Sequence, residues 1–215
     1  MTREIRFCTS ADGTRIGFTI YGQPTSVPLL VVRAWASTIG TEEEFEEARA
    51  FYAELAEDRG IIRFDLRGTG ASQRTVQDVS LDAQVADAEA VVKHLRLTRF
   101  DMFAFAGGAQ IGALYTARHS DQVRHLVLWA PHAYGPEAIR KRDAISGMIA
   151  LALANWPLAC RTMADVLFPS GPDDTRRRWA HMLRDQGRDQ EAMDALDRAA
   201  ELGMRASPDA SRVER

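Results

Sequence analysis

Phe100-Asp101-Met102-Phe103-Ala104-Phe105-Ala106-Gly107-Gly108-Ala109-Gln110-Ile111-Gly112 decides how this chain is read. Its first half is a mostly apolar run of strand length, and the glycine pair marks a very tight turn. Ala113-Leu114-Tyr115-Thr116-Ala117-Arg118-His119 then continues with helical character. The stretch predicts a buried strand that turns sharply into a helix, with Ala106 at the apex.

Working outward, the same alternation recurs. Residues 5–9 and 15–21 flank Ala11-Asp12-Gly13-Thr14, and the Asp-Gly step predicts a hairpin. Leu29-Leu30-Val31-Val32 reads as a strand covered on both faces. Residues 41–58 follow as a helix, in which Thr41 and Glu44 have capping-box spacing and Phe45, Ala48, Tyr52, Leu55 and Ala56 form the apolar stripe. Within it, Glu42-Glu43-Glu44 is expected to be a solvated helix start rather than a metal site.

Ile61-Ile62-Arg63-Phe64-Asp65 is a further strand, ending in the glycine-rich turn Leu66-Arg67-Gly68-Thr69-Gly70-Ala71-Ser72. Residues 81–95 form a helix capped by Ser80, with Val85, Ala88, Val91, Val92 and Leu95 inward. On the other side of the central stretch, Val123 to Trp129 is another apolar strand. Strands alternating with helices imply an α/β fold: a mostly parallel sheet with helices on both faces.

After Tyr134-Gly135-Pro136 only helical patterns remain, broken at Trp156-Pro157 and Pro169-Ser170-Gly171-Pro172. The expected division is a core over 1–135, a helical segment over 136–205 and a tail over 206–215. Acid and base are nearly balanced in the helical segment, so Arg176-Arg177-Arg178 is expected to be an exposed helix face rather than a phosphate clamp.

Composition narrows the partners. The chain has 215 residues and a formal net charge of −3, which gives no broad positive field for nucleic acid. Cys8 and Cys160 are its two cysteines and have no metal-ligand spacing; reduced thiols in the cytoplasm are expected. The charged start Met1-Thr2-Arg3-Glu4 lacks a signal peptide's apolar region, and Ile149 to Ala154 is too short to cross a bilayer. No membrane, metal or cofactor is expected.

Several stretches together resemble the α/β-hydrolase superfamily. Phe64-Asp65-Leu66-Arg67-Gly68-Thr69-Gly70-Ala71-Ser72 is similar to that family's D-x-R-G-x-G-x-S turn. Residues 100–128 resemble its nucleophile-elbow strand, the following helix and the next strand. Val32-Arg33-Ala34-Trp35 stands where its oxyanion loop lies, and the helices after Pro136 resemble its cap. Within the superfamily, the chain is most similar to modules that bacteria join to signalling regulators.

The resemblance also implies departures. Ala106 occupies the nucleophile position, and a methyl group cannot attack a carbonyl. Ala104, Ala109 and Ala34 stand where the family uses small glycines. Ser211-Arg212-Val213-Glu214-Arg215 is similar to the linker ahead of two further strands, which carry the family's acid and histidine; a fold truncated after the cap is therefore expected. What the resemblance leaves is an oxyanion and ligand pocket at Ala34, Trp35, Gly107 and His132, suited to a small apolar carbonyl compound, with Trp156, Met163 and Trp179 either lining it or packing the cap. The alternative is an active carboxylic-ester hydrolase using an unconventional hydroxyl, Ser37 with His132 or Asp65, or residues from a longer chain or partner. Lacking further strands, residues 123–129 would form an exposed edge, open to self-association.

Overall fold

The computed structural model describes residues 4–22, 27–34, 38–42, 45–131, 142–167, 169–170 and 173–186. Two compact units divide the chain, residues 1–134 and 135–215.

In the first unit, β1 (Arg6–Thr9), β2 (Arg15–Tyr21), β3 (Leu29–Val32), β4 (Ile61–Phe64), β5 (Phe100–Phe105) and β6 (Val123–Trp129) form one sheet in the order β1-β2-β4-β3-β5-β6. β2 is antiparallel to β1 and β4, whereas β4, β3, β5 and β6 run parallel. Its helices are α1 (Ile39–Glu42), α2 (Glu46–Leu55), α3 (Leu81–His94) and α4 (Gly107–Arg118).

Strand alternation sorts the core into two layers. Leu30 and Val32 of β3 face one side with Phe18, Ile62, Met102 and Ala104, covered by Val85, Ala88 and Val91 of α3 and by Ile111 and Tyr115 of α4. Leu29 and Val31 face the other side with Tyr21 and Ile61, covered by Tyr52 of α2. Each of the valine, leucine, isoleucine, phenylalanine and methionine side chains among them contributes about 1.5–3 kcal/mol on leaving water. The hairpin and the cap of α3 form as the sequence predicts: Thr14 N–H donates to Asp12 Oδ1 at 3.0 Å, and Ala83 N–H to Ser80 Oγ at 3.2 Å.

The expected helix over 41–58 is instead two. Phe45 is extended at φ −95° and ψ 122°, α2 starts at Glu46, and no side chain caps it. Thr41 lies inside α1, so it is not the capping residue of a longer helix. Glu42 is buried at 5% exposure, not solvated. The cause is Arg63, a guanidinium embedded in β4 among apolar neighbours, which needs a carboxylate beside it. Glu42 pairs with Arg63 and, at 2.6 Å, with Arg33 at the end of β3.

The second unit contains α5 (Arg142–Ala154), α6 (Trp156–Leu167) and α7 (Asp173–Gln186). Asn155 Oδ1 accepts the Leu158 N–H at 3.1 Å, and Pro157 stands in the first turn of α6, where a missing N–H costs nothing. Ala159, Cys160, Ala164 and Leu183 are buried. No described helix is long and apolar enough to cross a membrane.

Candidate functional site

The carboxyl end of β5 meets the start of α4 at one residue. Ala106 has φ 44° and ψ −118°, a backbone region that residues with a Cβ rarely adopt. Its own N–H donates to the Trp129 carbonyl of β6 at 2.9 Å, and its carbonyl accepts the Ala109 N–H at 3.0 Å. The corner is thus tied to the neighbouring strand on one side and to the helix on the other. Its methyl group is half-buried.

Gly108 sets how tightly the corner closes. A Cβ there would lie 2.7 Å from the Val32 carbonyl oxygen and 2.8 Å from that of Arg33. The helix therefore passes directly over the end of β3, and Gly108 rather than Ala109 is the position that requires glycine. Around Gly107 nothing lies within 4 Å of a hypothetical Cβ. Its amide is one of the orphan donors at the start of a helix and, with the helix dipole, favours an oxygen atom in front of it. Ala34 follows β3 and is half-buried.

Asp65 lies one residue beyond β4 and is 2% exposed. Its two oxygens accept different backbone amides, Ile39 N–H at 2.8 Å and Ala71 N–H at 2.8 Å. Ser72 O–H donates to the Asp65 carbonyl at 2.6 Å and accepts the Gly17 N–H at 2.9 Å. Burial pushes the Asp65 carboxyl up to about 6, against the lowering effect of its two amide donors. Both oxygens are engaged in holding the turn and the start of α1. Trp35, Ser37 and His132 lie outside the described residues; the structure describes Ala34, Asp65, Ala106 and Gly107 in the first unit and Trp156, Met163 and Trp179, each half-buried on a helix, in the second.

Behind the corner stands a polar network that the sequence reading missed. Arg63 donates to Tyr21 Oη at 2.8 Å, and its guanidinium lies 4.0 Å from the Tyr52 ring centroid. Arg33 donates to Tyr52 Oη at 2.8 Å and stacks 4.5 Å over the ring of Phe105, the residue before Ala106. Burial pushes the Tyr52 hydroxyl up to about 12. Burial pulls the Arg63 pKa down, but the Glu42 carboxylate together with Tyr52 and Tyr21 outweighs it and the net shift is upward. A second buried fork, Arg67 on Asp87 at 2.7 and 2.8 Å, reaches Asp12 at 2.8 Å and joins the hairpin loop to α3. Arg67 holds the Asp12 carboxyl down at about 2. The one signal available was a lone arginine inside each apolar stretch, which demands a partner without naming it.

Known proteins agree with this architecture. Residues 28–194 match the model of the alpha/beta hydrolase fold, and the chain belongs to that family. It is 30% identical over 126 residues to the AB hydrolase superfamily protein YisY of Bacillus subtilis (strain 168), across 55% of this chain and 47% of the relative. The chain thus spans about half the length of that curated relative. Among solved structures, an esterase from Exiguobacterium antarcticum superposes with a TM-score of 0.71 at 19% identity, over 90% of this chain and 72% of the esterase. The esterase RhEst1 from Rhodococcus sp. ECU1013 gives 0.69 at 23% identity, over 89% and 72%. The bottromycin epimerase BotH gives 0.65 at 19% identity, over 90% and 73%. At these identities the structural likeness establishes the fold, and the site must be argued from its own residues.

Proposed function

We propose that this chain is a catalytically impaired α/β-hydrolase-fold protein that binds a small apolar carbonyl compound without turning it over. The observation that carries the reading is Ala106: the strained corner is present, and a methyl group stands at its apex. Acyl transfer needs a hydroxyl or thiol there and a base to deprotonate it. The orphan Gly107 amide, with Ala34 or Trp35 opposite, can still polarise a carbonyl oxygen, which alone supports at most about 10³–10⁴-fold over water. On the family resemblance, His132 is assigned to the ligand-binding residues and residues 136–205 to a helical cap. The two buried thiols, Cys8 and Cys160, suit a reducing cytoplasm.

Self-association of a second copy through β6 belongs to the same proposal. Val127, Leu128 and Trp129 are 54%, 36% and 65% exposed, and among the described residues β6 pairs only with β5.

A p-nitrophenyl ester assay on the wild type and on Ala106→Ser tests the reading. The expected wild type changes tryptophan fluorescence saturably on adding ester but releases no p-nitrophenol above the buffer rate. Turnover at an ordinary enzymatic rate of about 1–10³ s⁻¹, abolished by Ser37→Ala, would instead establish hydrolysis by an unconventional hydroxyl. A gain on Ala106→Ser shows that only the nucleophile is missing; no gain shows that the base is missing as well.

A further inference from the structure

The helical unit holds a recess whose chemistry is unrelated to Ala106. Trp156 Nε1–H donates to the Arg184 carbonyl at 3.3 Å, fixing the start of α6 against the end of α7. Their facing surfaces form a groove of about 720 Å³, into which α6 brings Arg161 and Asp165 and α7 brings Asp173, Arg176, Arg177 and Arg184. The spacings within each helix, four residues on α6 and three, four, seven and eleven on α7, place these groups on one face of each.

The charges do not cancel. Both carboxylates serve the same guanidinium: Asp173 pairs with Arg176, and Asp165 lies 3.7 Å from it. Arg161, Arg177 and Arg184 have no carboxylate within ion-pair distance among the described residues. Three guanidinium groups without a paired carboxylate line one groove of a chain whose net charge is −3, so the field there is locally positive and favours an anion. No lysine lines the groove. Guanidinium forks match phosphate oxygens in pairs, whereas an ammonium group is a point charge.

Whereas the sequence alone points to Arg176-Arg177-Arg178 as a plain exposed face, we propose that this groove, to which Arg176 and Arg177 but not Arg178 contribute, binds a phosphate-bearing small molecule carrying at least two phosphoryl groups. Arg161, Arg177 and Arg184 bring three guanidinium charges to the groove, more than the roughly 1.5–2 negative charges that one phosphoryl group carries near neutral pH, and a second phosphoryl group supplies the remainder.

Isothermal titration calorimetry of the full chain at low salt tests this with inorganic pyrophosphate, ADP, inorganic phosphate and phosphatidic acid vesicles. Pyrophosphate and ADP are expected to bind at least tenfold more tightly than phosphate. Arg161→Gln, Arg177→Gln and Arg184→Gln should each weaken pyrophosphate by about tenfold. Arg178→Gln should not, because Arg178 pairs with Asp174 and lies outside the groove. Far-UV circular dichroism checks each variant's helices. If any of them unfolds, 1 M sodium chloride on the wild type replaces it and must weaken binding at least tenfold. Absence of heat with millimolar pyrophosphate and ADP overturns the proposal. So do equal affinity for phosphate and pyrophosphate, binding to vesicles alone, and binding indifferent to Arg177→Gln.

Discussion

Ala106 holds a backbone conformation that suits glycine, and it does so without a polar side chain in return. Such a residue stores on the order of 1–3 kcal/mol of strain. Ala106→Gly relieves it, while the extra freedom of the unfolded chain costs about 0.4–1 kcal/mol. The strain term is larger, so this variant is expected to be more stable by about 1 kcal/mol, a rise in Tm of about 2–4 °C by calorimetry. An unchanged or lower Tm would mean that the corner is relaxed. Asp65 is a second residue whose environment works against it. Burial raises its pKa from 3.8 to about 6, so the folded state holds a proton that the unfolded chain has released. Its contribution is therefore fully present below about pH 4 and is lost as pH rises through 6, by about 3 kcal/mol. Urea melts at pH 4 and 7.5 on the wild type and on the non-titrating Asp65→Asn read this directly. The wild type should lose about that much relative to the variant, and parallel pH profiles would rule the shift out.

The elements show which features were legible in the sequence. The turn from β5 into α4 was written locally, as an apolar run followed by two glycines, and so was the Ser80 cap of α3. The break between α1 and α2 was not. Its cause is Arg63, 21 residues beyond Glu42, and local helix signals around Thr41 and Glu44 contain no trace of that partner. Once paired, the cluster matters greatly: Glu42→Gln leaves the Arg63 guanidinium buried without its carboxylate, with an expected loss of about 3–5 kcal/mol in a denaturant melt. The candidate site divides the same way, since Ala106 and Gly107 could be placed from the elbow pattern while the arginine stacked beneath Phe105 could not. The start of α4 offers a sharper test. Alanine is about 1 kcal/mol better than glycine in a helix. At Gly108 that gain meets two carbonyl oxygens of the β3 end at 2.7 and 2.8 Å, backbone atoms that cannot swing aside, and overpacking of this kind costs about 1–3 kcal/mol or more. Gly108→Ala is expected to destabilise by about 1–2 kcal/mol, whereas Gly107→Ala, with nothing near its Cβ, should be neutral or slightly stabilising. Equal effects at the two neighbours would contradict the close passage of α4 over β3.

For the molecule as a whole, the decisive surface is the edge of the sheet. Proteins blunt open strands with charges near the middle, and β6 has its charges only at the start, where Arg124 and His125 lie 3.4 and 2.9 Å from Asp101. From Leu126 to Trp129 nothing charged interrupts it. Beside β6 runs a groove of about 480 Å³, lined by Leu29, Leu55, Met102, Phe103 and Val127 and also by the polar side chains of Glu54, Asp58, Arg59, Asp101 and His125. A second copy pairing along β6 would satisfy the backbone groups left open among the described residues and cover Val127, Leu128 and Trp129, which is why the proposed self-association is placed here rather than on a helix face. Val127→Lys puts an ammonium group into that contact at a position 54% exposed in the single chain, where the fold itself tolerates it. Sedimentation should show the wild type shifting toward twice the monomer mass as concentration rises, and the variant's dissociation constant weaker by at least tenfold, about 1.4 kcal/mol. Circular dichroism should not distinguish the two. A wild type that stays monomeric at high concentration would remove β6 as an interface, and it would leave the Ala106 corner and the ligand proposed for it untouched, because neither depends on a second chain.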